Sequence, residues 1–564
     1  MKKCLVIVLT AIIVCTLVIG SCGDSEEPSP SPTSSPEPTS SPEPTSSPEP
    51  TSSPEPTSSP EPTSSPEPTP EDLFPAPGNP VPGGILRVLD NNGPQVLGYL
   101  PEMGPFDEGD MLPTTEKLLE YNAEHKLIPF LAESYDVDLD SLVATFKLRK
   151  GIKFHDGSDF NAEAAAWNLN LYWSTHRMMF SDKVESIEIV DDYTVEVHLL
   201  DYNNMFDFAI GWLPMFSKVA WDNAGSTDEE RKEWARANPV TTGPFKLEEY
   251  KRDDRMVWVK NEDYWQAGKP YLDGITVKFV PDSVTASAMM QAGDADMWTS
   301  VPIRDQIDLE KKGFVRQEAA LGYPTAVFFD MLNHPDSMFH DLRIREAMEY
   351  ALDRPTITQA LTFGYGVPLL SLQSPKAWGH DPDYEGRPYN PDKAKELLAE
   401  AGYADGFKTT MLVQTGNEDL AEAIRGYLAE VGIEVELDIA DSGRFYASMW
   451  VEGWDNLALF SSGSDPDPLM AILVMWGPHP MNLVAGFLRS PELLEIGEEA
   501  LKQYDIPGKQ VYAKKMVQQI ADEVALLPLY EISVGYILQP YVHTTYLSEM
   551  SVARRTYNEW MDPH

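Results

Sequence analysis

His155 and Asp156 stand side by side, a pairing of imidazole and carboxylate that both acid–base chemistry and metal binding use. Gly157 follows at once and Asn161 comes four residues later, a spacing that reads instead as a turn leading into a capped helix. The ten histidines are scattered, with no His-Glu-x-x-His and no close pair on one helix face, so no protein-built metal site is expected. Neither Gly-x-Ser-x-Gly nor a phosphate-cradling Gly-rich loop occurs. Asp465 and Asp467, each followed by proline, serve either as partners for a ligand cation or as turn formers. The three cysteines are Cys4, Cys15 and Cys22, so the chain beyond residue 22 has neither an internal disulfide nor a thiolate metal site.

Those cysteines belong to an export signal. Lys2 and Lys3 are followed by an almost wholly apolar run from Cys4 to Ile19, and Gly20-Ser21-Cys22 ends it with small residues. Ile19-Gly20-Ser21-Cys22 resembles the bacterial lipobox, which implies cleavage after residue 21 and a diacylglyceryl anchor on Cys22. An uncleaved spanning helix is the alternative, at the short limit of about 17 residues. Residues 34–69 then repeat Ser-Ser-Pro-Glu-Pro-Thr six times. That composition buries no core and is expected to be a disordered tether, with residues 23–82 reaching between ~40 and ~180 Å.

The remaining body, from residue 83 to 564, is large enough for two or three lobes. Residues 1–82 hold eleven acids and two lysines, which leaves −37 of the chain's −46 on the body. Such a field repels nucleic acid and mildly favours cationic or zwitterionic ligands. Period-two apolar runs predict strands at Phe146 and Leu148, at Val195, Val197 and Leu199, and at Ile275, Val277 and Phe279. Residues 341–354 predict a helix capped by Asp341, and Asn390-Pro391 opens another that Gly402 ends. A third helix carries Leu420, Ile424, Tyr427, Leu428 and Val431, stops at Gly432, and leads into a strand with Ile433, Val435, Leu437 and Ile439. Strands and helices mixed throughout argue an α/β body.

Eight segments, in order, resemble the family 5 extracellular solute-binding proteins of ABC importers, the peptide- and nickel-binding group. GGILRV at 83–88 looks like the family's first strand, and LAESY at 131–135 like its LAESW segment with Tyr135 for Trp. FKLRKGIKFHDG at 146–157, PVTTGPF at 239–245 and NEDYW at 261–265 follow. QAGDAD at 291–296, IREA at 344–347 with ALDR at 351–354, and DKAKELL at 392–398 complete the set.

The resemblance implies a bilobal periplasmic-binding-protein-like fold of type II with an extra subdomain. Lobe I would be residues 83–127, 240–324 and 525–564, the subdomain 128–239, and lobe II 325–524, with Tyr323 at the forward crossing and the return near Leu526-Leu527-Pro528. It implies a protein, not an enzyme and without cofactor, that captures a small polar solute, best an oligopeptide, between the lobes and delivers it to an ABC permease and ATPase complex. The body would be monomeric, lipid-anchored on the extracytoplasmic face of the bacterial membrane. The alternatives are a surface receptor or sensor uncoupled from import, and a secreted hydrolase. Tyr323, Gln414, Phe460 and Asp465 are the expected solute contacts. Here the chain departs from the family: Leu459 and Ser462 replace a Trp and an Asp, which leaves Asp465 as the candidate partner of a ligand cation, and no basic residue stands at Gln414-Thr415-Gly416, where some dipeptide binders place an arginine.

Overall fold

A computed structural model describes residues 76–103, 109–122, 125–174, 180–318, 322–331, 334, 336–373, 375–461, 467–478, 486–533, 535–544 and 555–563. Cys22, the repeat at 34–69 and Asp465 lie outside the described residues.

Two large sheets organise the body. The first has seven strands in the order Val315–Glu318, Gly535–Leu538, Met297–Trp298, Ile85–Asp90, Gly274–Phe279, Arg255–Lys260 and Phe245–Lys251. The second has six, in the order Gly366–Pro368, Leu526–Ile532, Tyr323–Phe329, Leu457–Ser461, Phe407–Gln414 and Ile433–Ala440. The alternation at Ile275, Val277 and Phe279 buries all three side chains, as a strand inside a sheet requires. A separate four-stranded antiparallel sheet, Ala132–Asp138, Val143–Leu148, Thr194–Leu199 and Val184–Asp191, is inserted between the first two passes through the seven-stranded sheet. Its Phe146, Leu148, Val195 and Val197 pack into the core beneath the helix Ala162–Trp173.

Helix ends follow local chemistry. Asn161 caps Ala162–Trp173 by accepting from the Ala164 N–H, Asp341 caps Leu342–Tyr350, and Asn390 caps Pro391–Glu400. Gly402 and Gly432 take φ of 91° beyond their helices, the left-handed conformation that glycine adopts without a Cβ clash. Ile344, Ala347, Met348, Leu397, Leu398, Leu420, Ile424 and Leu428 cover one face of the second sheet.

The chain passes from the first sheet to the second between Glu318 and Tyr323 and returns between Ile532 and Gly535. The return near Leu526-Leu527-Pro528, and with it the boundary at 525, therefore moves to beyond Ile532. Leu526–Ile532 pairs with Tyr323–Phe329 inside the second sheet, and its buried Leu526, Leu527 and Leu529 are part of that sheet's core. Among the described residues no helix is long and apolar enough to cross a membrane.

Candidate functional site

Strand direction locates the site. In the first sheet, Ile85–Asp90 runs parallel to Gly274–Phe279 and Met297–Trp298. Two successive antiparallel pairings turn Val315–Glu318 the same way. In the second, Phe407–Gln414 runs parallel to Ile433–Ala440 and Leu457–Ser461, and Tyr323–Phe329 runs against them. The carboxyl ends of these parallel strands thus lie on the same sheet edges as the crossings at Glu318 and Tyr323. Open α/β sheets bind ligands at strand carboxyl ends.

Three of the expected contact residues meet at this edge of the second sheet. Tyr323 opens its strand, its backbone paired with Ile532. Phe460 pairs with Ala326, half-buried, its ring 5.9 Å from Phe328 and 6.3 Å from Phe445. Gln414 ends the neighbouring strand, one residue beyond the Val413–Leu459 pair, and donates from Nε2 to Ser442 Oγ at 2.9 Å. Asp467 is separated from this role: fully buried, it caps the helix Pro468–Trp476 through the Leu469 and Met470 N–H groups and pairs with Lys509 Nζ at 2.5 Å.

On the first sheet's edge, sequence reasoning missed Asp90. Its carboxylate accepts from Thr299 Oγ1, from Ser300 Oγ at 2.9 Å and from the Asn91 N–H at 2.6 Å, all neutral donors. Its position as the last residue of the first strand was the available signal.

The motif residues prove to be joints. Arg87 donates to Asp296 from its backbone N–H at 2.7 Å, from Nε at 3.0 Å and from Nη2 at 2.6 Å. His155 Nε2 lies 2.9 Å from the Gly243 carbonyl, and burial pushes the imidazole down to about 4, so it stays neutral. Asp156 accepts from Ser158 and from Ser217 Oγ at 2.7 Å, a turn rather than an acid–base pair. Glu116, wholly buried, accepts from Tyr264 OH at 2.6 Å, Thr242 Oγ1 at 2.8 Å and Trp265 Nε1 at 3.0 Å. Burial raises its carboxyl to about 7, the three donors offsetting part of the effect.

Away from the crossing edge, a cavity of about 530 Å3 lies among Thr410, Leu412, Glu436, Asp438, Trp454 and Asp455. Among the described residues no group of three His, Cys, Asp or Glu side chains is placed to hold a metal ion.

Comparison with known proteins agrees with this arrangement. Residues 126–481 match the model of bacterial extracellular solute-binding proteins, family 5 middle. The glutathione-binding protein GsiB of Pectobacterium atrosepticum is 30% identical over 444 residues, covering 74% of this chain and 84% of its own. GsiB of Escherichia coli O1:K1 is 33% identical over 449 residues, with the same coverage. Among solved structures, the periplasmic binding protein DppA from Helicobacter pylori in complex with the peptide STSA superposes with a TM-score of 0.74 at 23% identity, covering 86% of this chain and 99% of its own. The oligopeptide-binding protein AppA from Bacillus subtilis in complex with a nonapeptide also gives 0.74 at 23% identity, covering 86% and 100%.

Proposed function

We propose, for a chain that belongs to the bacterial extracellular solute-binding proteins of family 5, that its solute is an oligopeptide gripped between the two sheets at their crossing edges. Its fold is the bilobal periplasmic-binding-protein fold with an inserted subdomain, and it serves solute capture for an ABC importer. What supports the peptide reading is that the carboxyl ends of the parallel strands of both sheets lie at the crossing edges, in a fold shared with proteins solved with the peptide STSA and with a nonapeptide.

Lobe I takes residues 83–127 and 240–318 and returns after Ile532, the subdomain takes 128–239, and lobe II carries the second sheet. Tyr323 and Phe460 supply aromatic contact area and Gln414 a neutral amide. Asp465, or Asp90 from the opposite edge, receives the peptide's ammonium. The absence of a basic residue at 414–416 argues against a dipeptide clamped by both termini and for a longer peptide whose carboxylate lies elsewhere. The solute is released unchanged. Cys22 carries the lipid, residues 23–82 form the tether, and the body works as a monomer outside the membrane.

The test is mass spectrometry of the small molecules that leave the purified body on denaturation. Intact peptides, recovered uncleaved, are the expected result. A saccharide or a chelated metal as sole cargo overturns the peptide reading, and cleaved fragments overturn binding without chemistry.

A further inference from the structure

Besides the two crossings, side-chain contacts join the two halves of the body: Tyr365 OH donates to Glu310 at 2.8 Å, the His125 and Trp378 rings meet at 5.2 Å, and a further contact is made through Asn204. The inserted subdomain is tied to the first sheet where its entering and leaving strands meet. The Phe245 N–H donates to Pro113 O at 3.1 Å, Thr241 Oγ1 to Thr114 O at 2.6 Å, and Thr242 to Glu116. The helices Pro491–Ala500 and Ile506–Asp522 belong to the second sheet's side. Leu526–Ile532 follows them directly, and the Arg345 guanidinium holds the Glu523 carbonyl at 2.6 Å from the helix Leu342–Tyr350.

Asn204 bridges these two groups. It is fully buried, and its Nδ2 donates at 2.8 Å to both Ala500 O and Gln503 O, while its backbone N–H donates to Leu501 O at 3.0 Å. The last carbonyls of a helix lack partners within it, so a donor from another part of the fold is the natural way to satisfy them once water is excluded. Beside it the rings of Tyr202 and Tyr504 stack at 5.3 Å. Three residues on, half-buried Asp207 accepts from Tyr135 OH at 2.7 Å and Tyr202 OH at 2.9 Å, with Lys509 and Asp467 of the opposite side near enough to act on its charge.

We propose that Asn204 is a positioning residue for solute capture, latching the inserted subdomain onto the second sheet's helices so that the closed form is favoured before solute arrives. The inference rests on the reading that the body closes around its solute. With the crossings as the pivot, a contact between the halves outside them parts when the sheets swing open, and Asn204 and the helix carbonyls then exchange each other for water. The contact therefore raises the closed population, and apparent affinity scales with that population whatever the solute is. Loss of the latch weakens all solutes by one common factor, which a contact with the solute itself would not do.

The test uses the mature chain, Asn204→Ala, and Tyr504→Ala, whose half-exposed ring makes it the milder change to the fold. Reduced glutathione and the tetrapeptide STSA are titrated by calorimetry, and the unliganded proteins are measured by small-angle scattering. Asn204→Ala is expected to weaken both probes by the same factor, roughly 5- to 50-fold for two lost hydrogen bonds, and Tyr504→Ala by less. Both variants should be more expanded than the parent without ligand. Unchanged affinities with a lowered melting temperature overturn the latch in favour of a fixed dock, and unequal factors for the two probes overturn it as well. Failure of the parent to bind either probe counts against the peptide reading alone. Scattering then decides the latch, and identical unliganded dimensions overturn it.

Discussion

The ionisation of Glu116 is coupled to the fold. Burial raises its carboxyl from the ordinary range near 4.5 to about 7. The folded chain thus holds this proton more tightly than the unfolded chain, so stability falls as pH rises from about 4.5 to about 7, and the penalty is complete above that. A rise of that size corresponds to roughly 3 kcal/mol. Glu116→Gln keeps an acceptor for Tyr264 and Trp265 without a charge. Denaturant titrations at pH 5 and pH 8 should show the variant gaining on the parent by about that amount at the higher pH. Parallel stabilities across the range would place the proton elsewhere. The proposed ammonium partners are separable in the same residue-by-residue way. Asp465→Asn is expected to weaken an amine-bearing peptide about 10-fold while leaving its N-acetylated form unaffected. If Asp90→Asn shows that pattern instead, the first sheet's edge holds the ammonium.

Helix and strand junctions fix the frame around the site. The helix Pro468–Trp476 begins directly after the segment that carries Asp465, and its start is held by Asp467, which both caps it and neutralises Lys509. Removing one partner of a buried pair leaves the other charge uncompensated, so Asp467→Ala should cost about 3–5 kcal/mol in chemical denaturation. A loss below about 1 kcal/mol would mean that water reaches Lys509. Gly243 is a second junction. A Cβ there would lie 1.9 Å from the Thr114 carbonyl oxygen, so Gly243→Ala must push apart the two passes that connect the subdomain to the first sheet. The expected outcome is a melting temperature lowered by several degrees, or no soluble protein. Normal melting would show that the passes separate freely.

On the scale of the molecule, two sheets joined by two crossings predict a hinge motion, and solute should shrink the radius of gyration measured by small-angle scattering. A peptide that binds tightly without compaction contradicts closure. The same scale includes the proposed anchor: Cys22→Ala should move the protein from the membrane fraction to the soluble one. Its retention in the membrane would favour an uncleaved spanning segment.

The sequence by itself determined the local grammar of this body. Asp341, Asn390 and Asn161 cap helices and Gly432 ends one, because capping and left-handed turns depend on a few neighbouring residues. The ordered motifs determined the family for a related reason, since each preserves one such local arrangement. Tertiary structure alone decided what the motif residues touch. Arg87 reaches Asp296 and His155 reaches the Gly243 carbonyl across long stretches of chain. Thr242, Tyr264 and Trp265 converge on a glutamate that no motif contained. Ile439 continues a period-two run yet is 42% exposed, because burial depends on what packs over a strand as well as on its alternation. Leu526–Ile532 joins the second sheet rather than the first for the same reason: a strand's sheet is chosen by the partner whose backbone it pairs with, and that partner lies far away in sequence.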